Sequence, residues 1–197
     1  MFYLFPSLIH VIEVKSFQKI REDLIKCIYQ ERKIDNKGVV KSNLGGWHSK
    51  DYFDSENIVV RTVRDETSNY FNINKVFNDN VALNYYNTWF NINKRGDSNG
   101  KHNHGGCHLS GVFWIKIPKD SGNFIFSSPY DFSQYDEISN YSKEVKEMYA
   151  QHMAYSIPPK EGDMLIFPSC IEHKVDINES REDRISASFN INFATNS

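Results

Sequence analysis

His102 and His104, separated by a single asparagine, are the first residues in this chain whose types and spacing suit chemistry. Side chains at i and i+2 on a strand leave the same face, so both rings can reach one ion. Imidazole suits iron, zinc, copper and nickel. The pair follows a polar, glycine-bounded loop at 95–100 and precedes an apolar run from Leu109, with His108 a third candidate close by. Surface histidines at this spacing are common, so the pair alone is a weak signal. A second signal lies at Gly162-Asp163-Met164-Leu165-Ile166-Phe167-Pro168, which leads through Ser169-Cys170-Ile171-Glu172 to His173. An apolar strand runs into a proline turn, and a histidine opens the next strand. Two histidine clusters, each at a strand start and about seventy residues apart, favour one shared site over two solvated rings.

Arg184-Ile185-Ser186 is the third signal, eleven residues past His173 and on the polar face of the last strand. A dicarboxylate that chelates a metal at one end leaves its other carboxylate free to be held elsewhere. Arginine is always charged and offers a planar fork matched to carboxylate, and serine adds a hydroxyl donor. The spacing predicts this pair one strand over from His173. The plain alternative is a surface arginine in a charged turn, because Arg181, Glu182 and Asp183 adjoin it. Against that, Arg184 heads a strand and shares a face with Ser186.

The elements that must position these groups follow from periodicity. Phe17, Ile20, Leu24 and Ile28 recur at three and four residues, an amphipathic helix with Ser16 as N-cap and a turn at Asp35-Asn36-Lys37-Gly38. A tight loop at Gly45-Gly46, pinned by Trp47, precedes a second helix from about Glu56, with Val59, Val63, Glu66, Tyr70, Ile73 and Phe77 in register. From Val81 the period becomes that of strands, at 81–92, 109–117, 123–126, near Tyr155, at 164–167 and at 173–177. Residues 131–152 read as an insertion with a short helix carrying Val145, Met148 and Tyr149. In 184–193 apolar and polar residues alternate strictly, so one face is apolar and the other polar. Helices followed by many short strands indicate an α+β, mainly β domain built on an antiparallel sandwich or barrel. The expected organisation is a single domain over 1–197, with 1–80 as helical support and 81–193 as the β core.

A net charge of -2, with 24% charged residues, gives no electrostatic footprint for nucleic acid or an anionic membrane. The opening stretch at 2–6 is proline-broken, lacks a basic leader, and is too short for a signal peptide or a membrane span. Cys27, Cys107 and Cys170 are odd in number and widely spaced, which points to free thiols and a cytoplasmic protein.

The chain resembles the 2-oxoglutarate/iron(II) oxygenases of marine bacteria and bacteriophages. The resemblance is carried by Ser42-Asn43-Leu44-Gly45-Gly46-Trp47-His48-Ser49, Trp89-Phe90-Asn91, His102-Asn103-His104 and Leu109-Ser110-Gly111-Val112-Phe113-Trp114. It continues through Ser121-Gly122, Phe167-Pro168 with His173, and Arg184-Ile185-Ser186-Ala187-Ser188-Phe189-Asn190. It implies a double-stranded β-helix of jelly-roll or cupin-like form. It implies Fe(II) at His102, His104 and His173, and 2-oxoglutarate held at its far carboxylate by Arg184 and Ser186. It further implies O2 as oxidant, with succinate and CO2 released as a small-molecule or peptide substrate is hydroxylated. Asn91, Ser110 and Trp89 are expected to line the pocket. Cys107 and Cys170 are expected near the metal as buried small side chains, and Trp47 is expected to pack rather than cap the site. One departure stands out. Most of the wider superfamily places Asp or Glu where this chain has His104, and Asp97 and Asp176 rank behind His104 as carboxylates that complete a different triad.

Two other readings stay open from the sequence. One is a cupin-type three-histidine metalloenzyme without 2-oxoglutarate, for which Arg184 and Ser186 have no use. The other is a non-catalytic jelly-roll binding module.

Overall fold

In the computed structural model of the chain, residues 7–53, 56–129, 140–149 and 153–195 are described; the stretch at 2–6 and parts of the 131–152 insertion lie outside them. The alternating last strand decides the architecture. β11 (Arg184–Thr195) pairs antiparallel with β4 (Val81–Asn93) on one side and β6 (Leu109–Lys116) on the other. With β1 (His10–Glu13), β9 (Asp163–Pro168) and β3 (Trp47–His48) they form a six-stranded sheet in the order β1-β9-β6-β11-β4-β3. A five-stranded sheet faces it, in the order β2-β5-β10-β7-β8. Its members are β2 (Asn43–Leu44), β5 (Ser98–His102), β10 (His173–Val175), β7 (Phe124–Ser127) and β8 (Ala154–Ile157).

Ile185, Ala187, Phe189 and Ile191 on the apolar face of β11 are wholly buried. They join one core with stripes of two helices, Phe17, Leu24 and Ile28 on α1 (Phe17–Ile34), and Val59, Val60, Val63 and Phe71 on α2 (Ile58–Ile73). Each such large side chain contributes about 1.5–3 kcal/mol through burial. The polar face of β11 is not solvated. Arg184 and Asn190 are buried and Ser186 and Ser188 half-buried, because this face looks across to the second sheet. Between the sheets sits a smaller apolar cluster of Val112, Trp114, Phe124, Phe126, Leu165, Phe167 and Ile171.

The fold departs from the sequence expectations in several places. The first eighty residues are not purely helical, since β1, β2 and β3 each add an edge to a sheet. β2 and β3 have two residues each, too few to show a period, and His10-Val11-Ile12-Glu13 of β1 does not alternate apolar with polar in sequence. The buried stripe of α2 runs through Val59, Val60, Val63, Thr67 and Phe71, and Ile73 is 74% exposed. Ser16 occupies the N-cap of α1 but its side chain makes no capping hydrogen bond, whereas Asn57 caps α2 by accepting from the Val59 amide. The loop at 95–100 contains the start of β5. The Gly45-Gly46 loop is tight as expected. Both glycines have positive φ, and a Cβ at Gly45 would lie 2.2 Å from the Asp97 carboxylate. The insertion contains α3 (Lys143–Tyr149). Cys27, Cys107 and Cys170 are free thiols, and no helix among the described residues is long and apolar enough to cross a membrane.

Candidate metal centre

His102 ends β5 and His173 opens β10, and the ladder between these strands sets the two residues directly opposite each other. The distal histidine therefore folds back onto the first one. Their ring centroids are 4.4 Å apart. Each ring is fixed in the same way. Nδ1 of His102 donates to the Gly100 carbonyl at 2.7 Å, and Nδ1 of His173 donates to the Ile171 carbonyl at 3.0 Å. A carbonyl only accepts, so both rings carry the proton on Nδ1 and keep the Nε2 lone pair available. Phe124 stacks on the His173 ring at 5.2 Å and Phe167 meets it edge-on at 4.8 Å.

His104 lies past the end of β5, so it is not on a strand with His102. Its backbone amide donates to the Ser169 carbonyl at 3.0 Å, which ties it to the turn that leads into His173. Among the described residues its ring has no hydrogen-bond partner; it rests against Trp89, 5.4 Å away. The three histidines each offer one ligand atom, and these atoms all lie within 4.8 Å of one another. His108, by contrast, is exposed, stacks on Phe193 and bonds Asn192. Neither Asp97 nor Asp176 joins the cluster. Asp97 accepts from the Lys94 amide, and Asp176 pairs with Lys174.

Burial depresses all three imidazoles. His104 is pulled down to about 3, first by desolvation and then by His173 and His102 beside it, and His173 to about 4 by desolvation. His102 is lowered for the same reason. At neutral pH the cluster is three uncharged nitrogen donors, the form that binds a cation. This donor set fits a divalent metal.

Arg184 lines the same pocket from the opposite sheet. It follows His173 by one strand in the chain, but β11 and β10 belong to different sheets, so the pair is reached across the sandwich and not along it. The side chain is 3% exposed. Its Nη1 donates to the carbonyls of Ser121 and, at 2.9 Å, Asp176. The Ser121-Gly122 turn comes this close because Gly122 has a φ of 84° and no side chain; a Cβ there would lie 2.7 Å from the carbonyls of Asp176 and Ile177. Burial lowers the guanidinium to about 10, so it remains charged at neutral pH. Its Nη2 is buried and has no partner among the described residues. A buried donor on a charged group left unpaired is costly, and a carboxylate is the partner whose geometry matches it.

The remaining expected site residues divide. Asn91, Ser186 and Trp89 line the pocket. Asn91 carries a second buried atom without a partner among the described residues, its Oδ1. Ser110 does not line the pocket; its hydroxyl lies between Asn190 and Ser169. Trp47 packs in the main core and donates to the Asp35 carbonyl. Cys107 is half-buried and Cys170 is exposed, so the expectation of two buried thiols is corrected. Sequence reasoning missed Asn93, Asn99 and Trp114, which line the pocket, and His48, which is buried and stacks flat on Trp89 at 5.7 Å. Asn93 was findable, since it continues the inward alternation of Trp89 and Asn91. His48 carried no pattern of its own.

The family described as "Putative 2OG-Fe(II) oxygenase" matches residues 87–190, more than half of the chain. No curated protein matches. Among solved structures, viral collagen prolyl hydroxylase from Paramecium bursaria Chlorella virus-1, in its 2OG complex, aligns with a TM-score of 0.60 at 15% identity. That alignment covers 95% of this chain and 96% of the viral one. A prolyl-4-hydroxylase from Pseudomonas putida gives 0.60 at 13%, over 96% and 93% of the two chains. The non-heme alpha ketoglutarate dependent carbocyclase SnoK, from nogalamycin biosynthesis, gives 0.63 at 10%, over 93% and 78%. At these identities the structures speak for the fold, the double-stranded β-helix.

Proposed function

This chain belongs to the 2OG-Fe(II) oxygenase family, and from that premise we propose that His102, His104 and His173 hold the iron while Arg184 anchors 2-oxoglutarate. The observation that carries the reading is a guanidinium that is buried, charged and short of one partner, in the same pocket as three neutral imidazoles. A cupin-type enzyme without the co-substrate leaves that donor unexplained. The catalytic domain in this reading spans 1–197, with 81–193 as its core, and it acts in the cytoplasm, where free thiols persist.

With Fe(II), 2-oxoglutarate and O2 bound, the site supplies oxidising chemistry that yields succinate, CO2 and a hydroxylated substrate. The chain's own residues do the positioning. His102 and His173 present Nε2 because their Nδ1 protons are held by carbonyls. Arg184 offers Nη2 to the distal carboxylate, and Ser186, beside it on the strand, adds a hydroxyl. Asn91 stands one inward position along β4 from Asn93, the register partner of Arg184. Asn91 Nδ2 donates to the Ser188 hydroxyl at 3.2 Å, which holds the amide in the pocket wall. Trp89, Val112, Trp114, Phe124 and Phe167 wall the pocket and exclude water. The substrate class is a small molecule or a peptide.

The test is turnover of 2-oxoglutarate by the full chain with Fe(II), ascorbate and O2. The expected result is succinate formed in proportion to 2-oxoglutarate lost, abolished in His173→Ala and without added iron. Iron-dependent oxygen uptake that proceeds equally well without 2-oxoglutarate would overturn the reading in favour of a cupin-type activity.

A further inference from the structure

Two of the three histidines are held by the β5–β10 ladder, but His104 is followed by Gly105-Gly106, where an added Cβ would meet nothing within 4 Å. Among the described residues, none comes close enough at the two glycines to hold the loop. What holds His104 is the turn after β9, to which the loop is tied twice. The His104 amide donates to the Ser169 carbonyl at 3.0 Å, and the Ser169 amide donates to the His108 carbonyl at 3.1 Å. The position of Ser169 is therefore the position of His104.

Ser169 is itself tied inward. Its hydroxyl lies 2.9 Å from that of Ser110, which lies 2.7 Å from Asn190 Oδ1, and Asn190 Nδ2 donates to Asn87 Oδ1 at 2.9 Å. The proton directions are fixed by the far end. Asn190 spends its amide donor on Asn87, so its Oδ1 accepts from Ser110, and Ser110 in turn accepts from Ser169. Asn190 is the direct register partner of both Ser110 and Asn87, so the three side chains share one face across β6, β11 and β4. All four residues are buried, and none lines the pocket. Buried hydroxyls and amides are costly unless satisfied, and a satisfied chain of them selects one geometry.

We infer that Asn87, Asn190, Ser110 and Ser169 form a positioning relay that fixes His104 relative to His102 and His173, replacing the strand ladder that His104 lacks. This rests on the reading of His104 as a metal ligand. The relay residues touch neither metal nor co-substrate; they act through the backbone of residue 104.

The experiment measures Mn(II) affinity of the full-length protein by titration calorimetry and electron paramagnetic resonance, without turnover. Ser110→Ala and Ser169→Ala are expected to weaken Mn(II) binding by roughly 10- to 100-fold, the range for partners of metal ligands, and to broaden the Mn(II) signal. Ser169→Thr, which keeps the hydroxyl, is expected to restore both. Thr67→Val, equally buried but in α2, controls for general loss of stability and is expected to leave Mn(II) affinity unchanged. Wild-type affinity in folded Ser110→Ala and Ser169→Ala, with His104→Ala weakened, would overturn the relay alone. Wild-type affinity in His104→Ala would overturn the three-histidine reading, and the relay's purpose with it.

Discussion

His102 and His173 sit opposite each other in a hydrogen-bonded ladder, each with its own carbonyl acceptor, whereas His104 sits in a glycine-rich loop with no acceptor for its ring among the described residues. The three converge all the same. The two arrangements achieve precision differently. For the strand pair, backbone pairing fixes the side chains, so any sequence that forms the strands brings the rings together. For the loop histidine, the geometry depends on contacts made elsewhere, with Ser169 behind it and Trp89 beside it. The loop position is also where the chain departs from the pattern of the family it resembles, with a histidine where a carboxylate is usual, and that departure falls on the histidine that the β5–β10 ladder does not hold.

The largest effect expected from this contrast is at the strand pair. His102→Ala and His173→Ala should each weaken Mn(II) or Fe(II) binding by more than the 10- to 100-fold typical of losing an outer partner, measured anaerobically by calorimetry. At the opposite wall, Arg184→Met should weaken 2-oxoglutarate binding to the metal-loaded protein by roughly 10- to 100-fold. That matches the 1.5–3 kcal/mol of a hydrogen bond to a charged group, and metal affinity should stay unchanged. A third effect sharpens the comparison directly. His104→Asp should keep metal affinity within about tenfold, because carboxylate and imidazole both serve Fe(II) and the ties to Ser169 hold the backbone of residue 104 whatever its side chain. His102→Asp should not keep it.

A smaller effect concerns protons. In the folded, metal-free protein burial holds His104 at about 3 and His173 at about 4, against an ordinary 6.5. On acidification the unfolded chain takes up these protons first, so stability present above pH 6.5 is lost progressively as the pH falls toward 4. Thermal unfolding of the metal-free protein between pH 7.5 and 4.5 should show this decline, and His104→Asn should make it shallower, with His102 and His173 still depressed. A wild-type profile flat across that range would contradict the buried, neutral cluster.

Much of the site was legible because its residue types are scarce and their spacing is meaningful. A histidine pair before an apolar strand, a histidine after Phe167-Pro168 and an arginine heading an alternating strand each carry information in one dimension. The helices and the long strands were legible for the same reason, through repeated periods in 17–28 and 184–193. What could not be read depended on relations between distant segments. The sheet that receives β11 is set by pairing with β4 and β6, so the sequence interval from His173 to Arg184 suggested a neighbouring strand where the structure has a facing one. Alternation along β11 separates an apolar face from a polar one but does not say that the polar face is buried as deeply as it is, with Arg184 and Asn190 both buried. Ser110 was expected in the pocket from the family resemblance, but its register opposite Asn190 commits it to the polar chain behind His104. The strand β1 and the two-residue strands β2 and β3 left no periodic trace at all.

The most direct measurement is a crystal structure of the full-length protein, grown anaerobically with Fe(II) and 2-oxoglutarate. The predicted result is a single metal bonded to His102, His104 and His173, with the distal carboxylate of 2-oxoglutarate on Arg184 Nη2. A metal bonded to only two of these histidines, or a co-substrate whose distal carboxylate lies away from Arg184, would contradict it.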